Sequence, residues 1–189
     1  MTKSMMIVGV GGQGTLLASR ILGHVLTEKG YDVKLSEVHG MSQRGGSVVT
    51  YVRFGEKVYS PLVEKGEADW ILSFEELESA RWISYLKKGG KLITNSQRMY
   101  PMPVITGAME YPEALAAVRE KGVDVTEVDA LALATKAGTP RAANVALIGV
   151  LSVMTDIPQE AWEEAIRATV PQKFVEQNLA AFRLGREQA

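Results

Sequence analysis

A chain of 189 residues, 46% hydrophobic and 23% charged, has the composition of a globular protein with room for one substantial core. Its 21 basic and 22 acidic residues leave a formal net charge of -1, which excludes the basic excess that a generic polyanion-binding surface needs, so nucleic acid is not an expected partner. With no cysteine and only two histidines, His24 and His39, the sequence excludes disulfides, thiol nucleophiles, thiolate zinc sites and the thiolate ligands of iron–sulfur clusters. Any redox centre that works with this chain must therefore lie on another chain.

The N-terminal residues Met1-Thr2-Lys3-Ser4 run straight into an apolar strand, Met5 to Val10, too short for a secretory core. The most apolar stretch, Asn144 to Met154, falls short of the roughly 18 residues a membrane span requires. A cytoplasmic protein that does not enter a membrane is the expectation. After the first strand, Thr15 to Lys29 carries helical spacing through Leu16, Ala18, Ile21, Leu22, Val25 and Leu26, and Gly30 closes that helix. Tyr31 to Ser36 reads as a second strand, completing a strand–helix–strand unit that expects a right-handed crossover in a parallel sheet.

Ser47 to Phe54 is rich in β-branched and aromatic residues, and Gly55-Glu56-Lys57 reads as a turn leading to Val58 and Tyr59, which suggests an inserted hairpin. Ala68 to Ser73 is a short buried strand, Glu75 to Leu86 a helix ended by Gly89-Gly90, and Lys91 to Asn95 another strand. Residues Gln97 to Tyr111 are irregular, punctuated by Pro101 and Pro103. Pro112 to Lys121 then reads as a helix, Val123 to Val128 as a strand, and Asp129 to Lys136 as a helix capped by Asp129. From about residue 141 the chain is a helical tail. Asn144 to Met154 is apolar around nearly its whole circumference and should be buried on most sides. Asp156-Ile157-Pro158 caps a helix to about Thr169, and Gln172 to Leu184 forms the last, ended by Gly185. The fold class these elements give is α/β: a single Rossmann-like domain over 1–189, with a mostly parallel sheet, a β-hairpin insertion and a helical C-terminal tail.

Gly9-Val10-Gly11-Gly12-Gln13-Gly14 satisfies the G-x-G-x-x-G spacing between a strand and a helix. Glycines there allow a tight turn and close approach of backbone N–H groups to an anion, and the helix N-terminus adds a favourable dipole. Alternatively, the glycines only let helix and strand pack closely or touch a partner, and the spacing leaves both readings open. For a dinucleotide, Glu37 stands about where an acidic ribose ligand would be sought. Against a plain nicotinamide site, Glu37 opens an unusual segment, and the chain is too short for a separate substrate domain.

That segment, Glu37-Val38-His39-Gly40-Met41-Ser42-Gln43-Arg44-Gly45-Gly46-Ser47, concentrates polar chemistry. His39 can change protonation near neutral pH, Arg44 offers a planar fork for carboxylate or phosphate, and Ser42 and Gln43 add neutral hydrogen-bonding groups. Gly45 and Gly46 give the backbone freedom. A solvated turn whose Arg44 pairs with a nearby carboxylate is the competing reading.

The glycine turn followed by Ser36-Glu37-Val38-His39-Gly40-Met41-Ser42-Gln43-Arg44-Gly45-Gly46 resembles the gamma-type domain of 2-oxoacid:ferredoxin oxidoreductases. Val52-Arg53-Phe54-Gly55, Tyr59-Ser60-Pro61-Leu62, Gly66-Glu67-Ala68-Asp69 and Asn95-Ser96-Gln97-Arg98 continue the likeness, as do Asn144 and Gln177 to Phe182 in the tail. Arg98 followed by Met99-Tyr100-Pro101-Met102-Pro103 is similar to the indolepyruvate subgroup.

The resemblance implies a small subunit, inactive alone, of an enzyme that oxidatively decarboxylates 2-oxoacids to acyl-coenzyme A and reduces ferredoxin. It implies that thiamine diphosphate, magnesium and 4Fe-4S clusters sit on a large partner subunit, through which ferredoxin is reached. Because these polar, glycine-rich motifs cluster at the expected carboxyl edge of the sheet, Gly9, Gly11, Gly12, Gln13 and Gly14, with His39, Ser42, Gln43, Arg44, Gly45 and Gly46, are expected to face that partner near where coenzyme A or the substrate carboxylate approaches. In isolation such a subunit could pair with a second copy. The competing functions are an independent NAD- or FAD-binding protein and a binding module that meets no thiamine enzyme.

Overall fold

The computed structural model of the protein describes residues 2–39 and 46–189. The continuous apolar run at the N-terminus becomes β1 (Lys3–Val10), buried from Ser4 onward, as expected of a strand at the middle of a sheet. It leads through the glycine turn into α1 (Thr15–Glu28) and on to β2 (Asp32–His39). Then come β3 (Ser47–Gly55), β4 (Ala68–Ser73), α2 (Glu76–Trp82), β5 (Leu86–Asn95), the short α3 (Met102–Ile105) and α4 (Ala114–Glu120). The chain continues with β6 (Asp124–Val128), α5 (Ala130–Lys136), α6 (Ala143–Val153), α7 (Gln159–Thr169) and α8 (Val175–Arg186).

The six strands lie in the order β2-β3-β1-β4-β5-β6. β1, β4, β5 and β6 pair in parallel, while β3 runs antiparallel to both β1 and β2. The α/β class with a mostly parallel sheet and an inserted hairpin is therefore what the chain forms. The hairpin arms differ from the sequence expectation. β3 pairs with β2, with Asp32 opposite Gly55 and His39 opposite Val48, and not with Val58-Tyr59, which form no strand. β3 thus slots between the two strands of the β1–α1–β2 unit. The crossover still carries β2 parallel to β1, but one strand away.

Alternation along the strands divides the core into two layers. Met5 and Ile7 of β1, Leu72 of β4 and Ile93 of β5 pack with α1 and the helices α5 to α8. Met6, Val8, Ile71 and Leu92 face the other way, against Leu115 and Val118 of α4 and the partly buried Ala80 and Trp82 of α2. Within the larger layer, Asn144 to Ser152 of α6 are all buried, as a helix apolar on every side requires.

Three glycines read from sequence as helix terminators, Gly185 and the pair Gly89-Gly90, do other work. Gly185 lies inside α8, and a Cβ on it would fall 2.0 Å from the Ala146 carbonyl oxygen of α6. Gly149 of α6 mirrors it, its Cβ position lying 2.1 Å from the Phe182 carbonyl oxygen. The glycines are where the two helix backbones touch. Likewise, the helix beginning near Glu75 ends at Trp82 with a single 3₁₀ turn, Ile83–Tyr85, and Gly89-Gly90 lie within β5, where the β4–β5 register shifts. Positive φ at Gly89 and the close approach of Gly90 to the Ala68 carbonyl explain both glycines.

α7 and α8 are tied by Glu163, which accepts from Arg183 Nε and Nη2 at 2.8 Å each and from Gln159 Nε2 at 2.9 Å. The Arg183 hydrogen bond holds the Glu163 carboxyl down at about 2, against an ordinary 4.5. A carboxylate depressed by folding contributes stability that is complete above its unfolded value and lost as pH falls towards its folded one. Acid titration between about pH 4.5 and 2 should therefore erode about 1 kcal/mol of stability, the scale of a partly exposed ion pair, and Glu163→Gln should flatten that limb. Chemical denaturation of both proteins across this range checks it. Identical acid limbs would contradict the assignment.

Among the described residues, no helix is long and apolar enough to cross a membrane.

Candidate functional site

The connection after β1 carries α1 onto one face of the sheet, and the connection after β4 carries α2 onto the other. Between β1 and β4 the winding reverses, the place where open α/β sheets hold ligands at the carboxyl ends of their strands. A cleft of about 620 Å³ opens there, lined by Gly11, Gly12, Gln13 and Gly14 after β1, Phe74 after β4, and Asn95 and Gln97 at the end of β5. Asn144 and Leu147 of α6 form its inner wall, and Arg141 stands exposed at its rim.

The glycine turn is held from three sides. Gln13 folds its side chain back, so that its Oε1 accepts from Val10 N at 2.7 Å while its Nε2 donates to the Phe74 carbonyl at 2.9 Å and to Gln97 Oε1 at 3.2 Å. The Gln13 amide is thereby committed to the turn, as a positioning group. Asn144 Nδ2 donates to the Gly14 carbonyl at 3.1 Å, and its Oδ1 accepts from Val145 N at 2.9 Å. Gly14, the α1 N-cap, has φ +85°, and a Cβ on it would meet Asn144 Nδ2 at 2.6 Å. Finally, Gly11 N donates to the Gly46 carbonyl at 2.9 Å, binding the turn to the residue that opens β3.

The predicted site residues separate by role. Gly9 is buried within β1 and does not line the cleft; its bare Cα admits Gln13 Oε1 and the Phe74 side chain, which a Cβ would meet at 2.9 and 3.0 Å. Gly12 has φ +101°, and among the described residues nothing lies within 4 Å of a Cβ built on it and no side chain caps the first turn of α1. His39 ends β2 and Gly46 sits against the turn. Ser42, Gln43, Arg44 and Gly45 lie outside the described residues. Asn95, Gln97, Arg141 and Asn144 belong to the cleft although sequence reasoning gave them no ligand role. Asn95, Gln97 and Asn144 stood in the family-like runs, and that was the signal available.

Glu37, the candidate ribose ligand, is placed elsewhere. It lies on β2, separated from β1 by all of β3, and its Oε1 accepts from Ser19 Oγ of α1 at 2.8 Å. With strands about 4.8 Å apart, that puts it two strand spacings from the turn, where a nicotinamide fingerprint needs it one. The insertion of β3 is what separates this turn from a dinucleotide site.

Beside the cleft, three carboxylates of the segment entering α2 are buried: Glu75, Glu76 and Glu78 are 1%, 4% and 4% exposed. Glu75 caps the helix through Glu78 N at 2.8 Å and also accepts from Met99 N at 3.0 Å and Tyr111 Oη at 2.6 Å. Glu76 accepts from Arg98 Nε at 2.6 Å and Nη2 at 3.1 Å, and Arg98 reaches on to Glu113. Glu78 accepts from Ser47 Oγ at 2.5 Å and Arg81 Nε at 2.9 Å. The Glu76 and Glu113 hydrogen bonds push Arg98 above its ordinary value, and burial, aided by Glu75, raises the Tyr111 phenol well above its own. Both groups therefore keep their protons at neutral pH, and the network is a fixed scaffold. Among the described residues, no group of three histidines or carboxylates is arranged to hold a metal ion.

Comparison with known proteins is consistent from end to end. The family model described as pyruvate ferredoxin/flavodoxin oxidoreductase matches residues 4–188. The chain is 47% identical over 188 residues to "Indolepyruvate oxidoreductase subunit IorB" of Thermococcus kodakarensis, covering 96% of this chain and 93% of that protein. It is 45% identical to the subunit of the same name from Pyrococcus horikoshii, at the same coverages. Among solved structures, the gamma subunit of a keto/oxoacid ferredoxin oxidoreductase from Geobacter sulfurreducens superposes with a TM-score of 0.75 at 25% identity, over 99% of this chain and 98% of that one. With the family model matching residues 4–188 and the structural likeness running over 99% of its length, the chain belongs to the pyruvate ferredoxin/flavodoxin oxidoreductase family and is built like its gamma-type subunits.

Proposed function

We propose that this chain is the non-redox small subunit of an indolepyruvate-type 2-oxoacid:ferredoxin oxidoreductase, working in the cytoplasm with a larger subunit. That larger subunit would carry thiamine diphosphate, magnesium and the 4Fe-4S clusters, and would pass electrons to ferredoxin. The observation that carries the reading is the full-length identity of 47% with an indolepyruvate oxidoreductase subunit. The absence of cysteine from these 189 residues supports placing the clusters on the other chain, since thiolates are their usual ligands.

The residues at the switch-point cleft fit coenzyme A better than they fit a dinucleotide. Its phosphates are anionic, and the cleft offers them the backbone at Gly12, the first turn of α1, which no described side chain caps, and the exposed cation of Arg141. Glu37 is not placed to read a ribose from this turn. In this reading, His39, Ser42, Gln43, Arg44 and Gly45 also serve coenzyme A; the support is that Gly46, which follows them in the sequence, is hydrogen-bonded to Gly11 of the turn. Coenzyme A, when bound, supplies the thiol that accepts the acyl group; this chain's part is to orient the phosphates and exclude solvent around them.

Reconstitution with the larger subunit tests the assignment. Arg44→Ala and Arg141→Ala should each raise the KM for coenzyme A about tenfold while leaving the KM for indolepyruvate unchanged, the cost expected for one charge-assisted contact to phosphate. Unchanged coenzyme A saturation in both variants would remove the ligand contact and leave these residues an assembly role.

A further inference from the structure

The network around Glu75 and Glu76 grips a single excursion of the chain at both ends. Arg98 and Met99 are fixed where it leaves the sheet, and Tyr111 and Glu113 where it returns. What it holds out is apolar. Tyr100, Met102, Ile105 and Met109 are 56%, 66%, 64% and 57% exposed, and residues 99 to 109 include no charged side chain. Met102 to Ile105 form the short helix α3 at its tip, started by Pro101 and Pro103. A four-point anchor, three of its points made to the buried carboxylates Glu75 and Glu76, is an expensive arrangement for a stretch of exposed apolar loop in water.

The excursion also has a definite address. Met99 lines the switch-point cleft, and Tyr100 and Pro101 line a smaller pocket beside it with Glu75 and Glu78. Leu16 in the first turn of α1 and Leu131 in the first turn of α5 are likewise exposed, at 46% and 42%, and both follow strands at this same carboxyl edge. The apolar surface is thus continuous with the rim assigned above to coenzyme A.

We infer that the Tyr100–Met109 excursion is a docking knob that inserts into an uncharged, apolar groove of the larger oxidoreductase subunit. The partner class rests on the function proposed above. The chemistry of the groove rests on the knob itself: with no charge over its ten successive residues, it offers nothing to an acidic or basic surface, while Tyr and Met are the side chains that interface centres favour. Docking there would lay the partner over the mouth of the cleft and close the coenzyme A site between the two chains.

The test is co-purification and titration of the two full chains, using Ile105→Asp and Met102→Ala/Ile105→Ala, with Tyr59→Glu as control. Tyr59 is 88% exposed and lies beyond β3, at the opposite edge of the sheet. Ile105→Asp should weaken association at least about tenfold and the double alanine variant less, both with the melting temperature of the isolated chain unchanged, while Tyr59→Glu binds as wild type. Equal binding by Ile105→Asp and wild type would overturn the docking inference alone. If the wild-type chain did not bind the larger subunit at all, the proposed function would fall and the inference with it. Loss of self-association in Ile105→Asp, with partner binding intact, would overturn it in favour of a second copy of this chain.

Discussion

Gly185→Ala is expected to lower the stability of the protein by about 2 kcal/mol and its melting temperature by about 5 °C. At an exposed helix position the same change would stabilise by up to about 1 kcal/mol, because alanine is the better helix former. Here the added methyl would lie 2.0 Å from the Ala146 carbonyl oxygen, and the nearest atoms are backbone, which cannot rotate away. α8 must back off from α6, opening gaps around Phe182 and Ile148, both fully buried. Gly149→Ala should act alike, since its Cβ position lies 2.1 Å from the Phe182 carbonyl oxygen. Because either methyl already separates the helices, the double variant should lose less than the sum of the two. Thermal and urea unfolding of the three variants measures this. A neutral or raised melting temperature would show that the helices do not cross as closely as described.

Glu75→Ala should cost about 3 kcal/mol, and its damage should be concentrated in residues 99–112. One nearly inaccessible carboxylate accepts three hydrogen bonds, from Glu78 N, Met99 N and Tyr111 Oη. Alanine removes the helix cap and strands the other two donors in a site that water does not reach freely. Glu75→Gln should lie in between, keeping one oxygen but turning an NH2 group towards donors. Hydrogen exchange followed by peptide would show faster exchange across 99–112 in Glu75→Ala, and limited proteolysis should cut there first. Wild-type protection of that stretch would mean that the carboxylate does not anchor it. Because the stretch carries the docking knob, partner affinity should fall in this variant even if the remainder of the fold survives.

Much of the fold could be read from local pattern. β1, α1, β4, α5 and α6 fall where apolar runs, helical spacing and the Asp129 cap put them, because each rests on interactions within a few residues. The pairing of β2 with β3 could not be read that way. The sequence around Gly55-Glu56-Lys57 offers a turn as good as any hairpin's, and what decides against it is the slot beside β1, whose register with β3 spans Lys3–Phe54 to Val10–Ser47. Gly185 and Gly90 misled for a related reason. A glycine after a helical run signals a terminus, yet these two are small because another backbone lies against them, at Ala146 and Ala68.

The site divides in the same way. The glycine turn was visible as spacing. The scaffold around it was not, since Gln13 meets Phe74 and Gln97 across 61 and 84 residues, and Asn144 meets Gly14 across 130. Glu75 and Glu76 looked like ordinary acidic residues favouring a helix N-terminus. Only the fold brings Met99, Tyr111 and Arg98 to them, 24, 36 and 22 residues away. The family-like run around Arg98 pointed to this region without revealing what the arginine does.

On the proposed function, this chain supports 2-oxoacid oxidation only in company. The most direct measurement is an anaerobic assay of indolepyruvate-dependent, coenzyme A-dependent ferredoxin or viologen reduction, run on each chain alone and on the co-expressed pair. No turnover is expected from this chain, little from the larger subunit, and full activity from the pair. Full activity from the larger subunit without this chain, or no activity and no association of the pair, would contradict it.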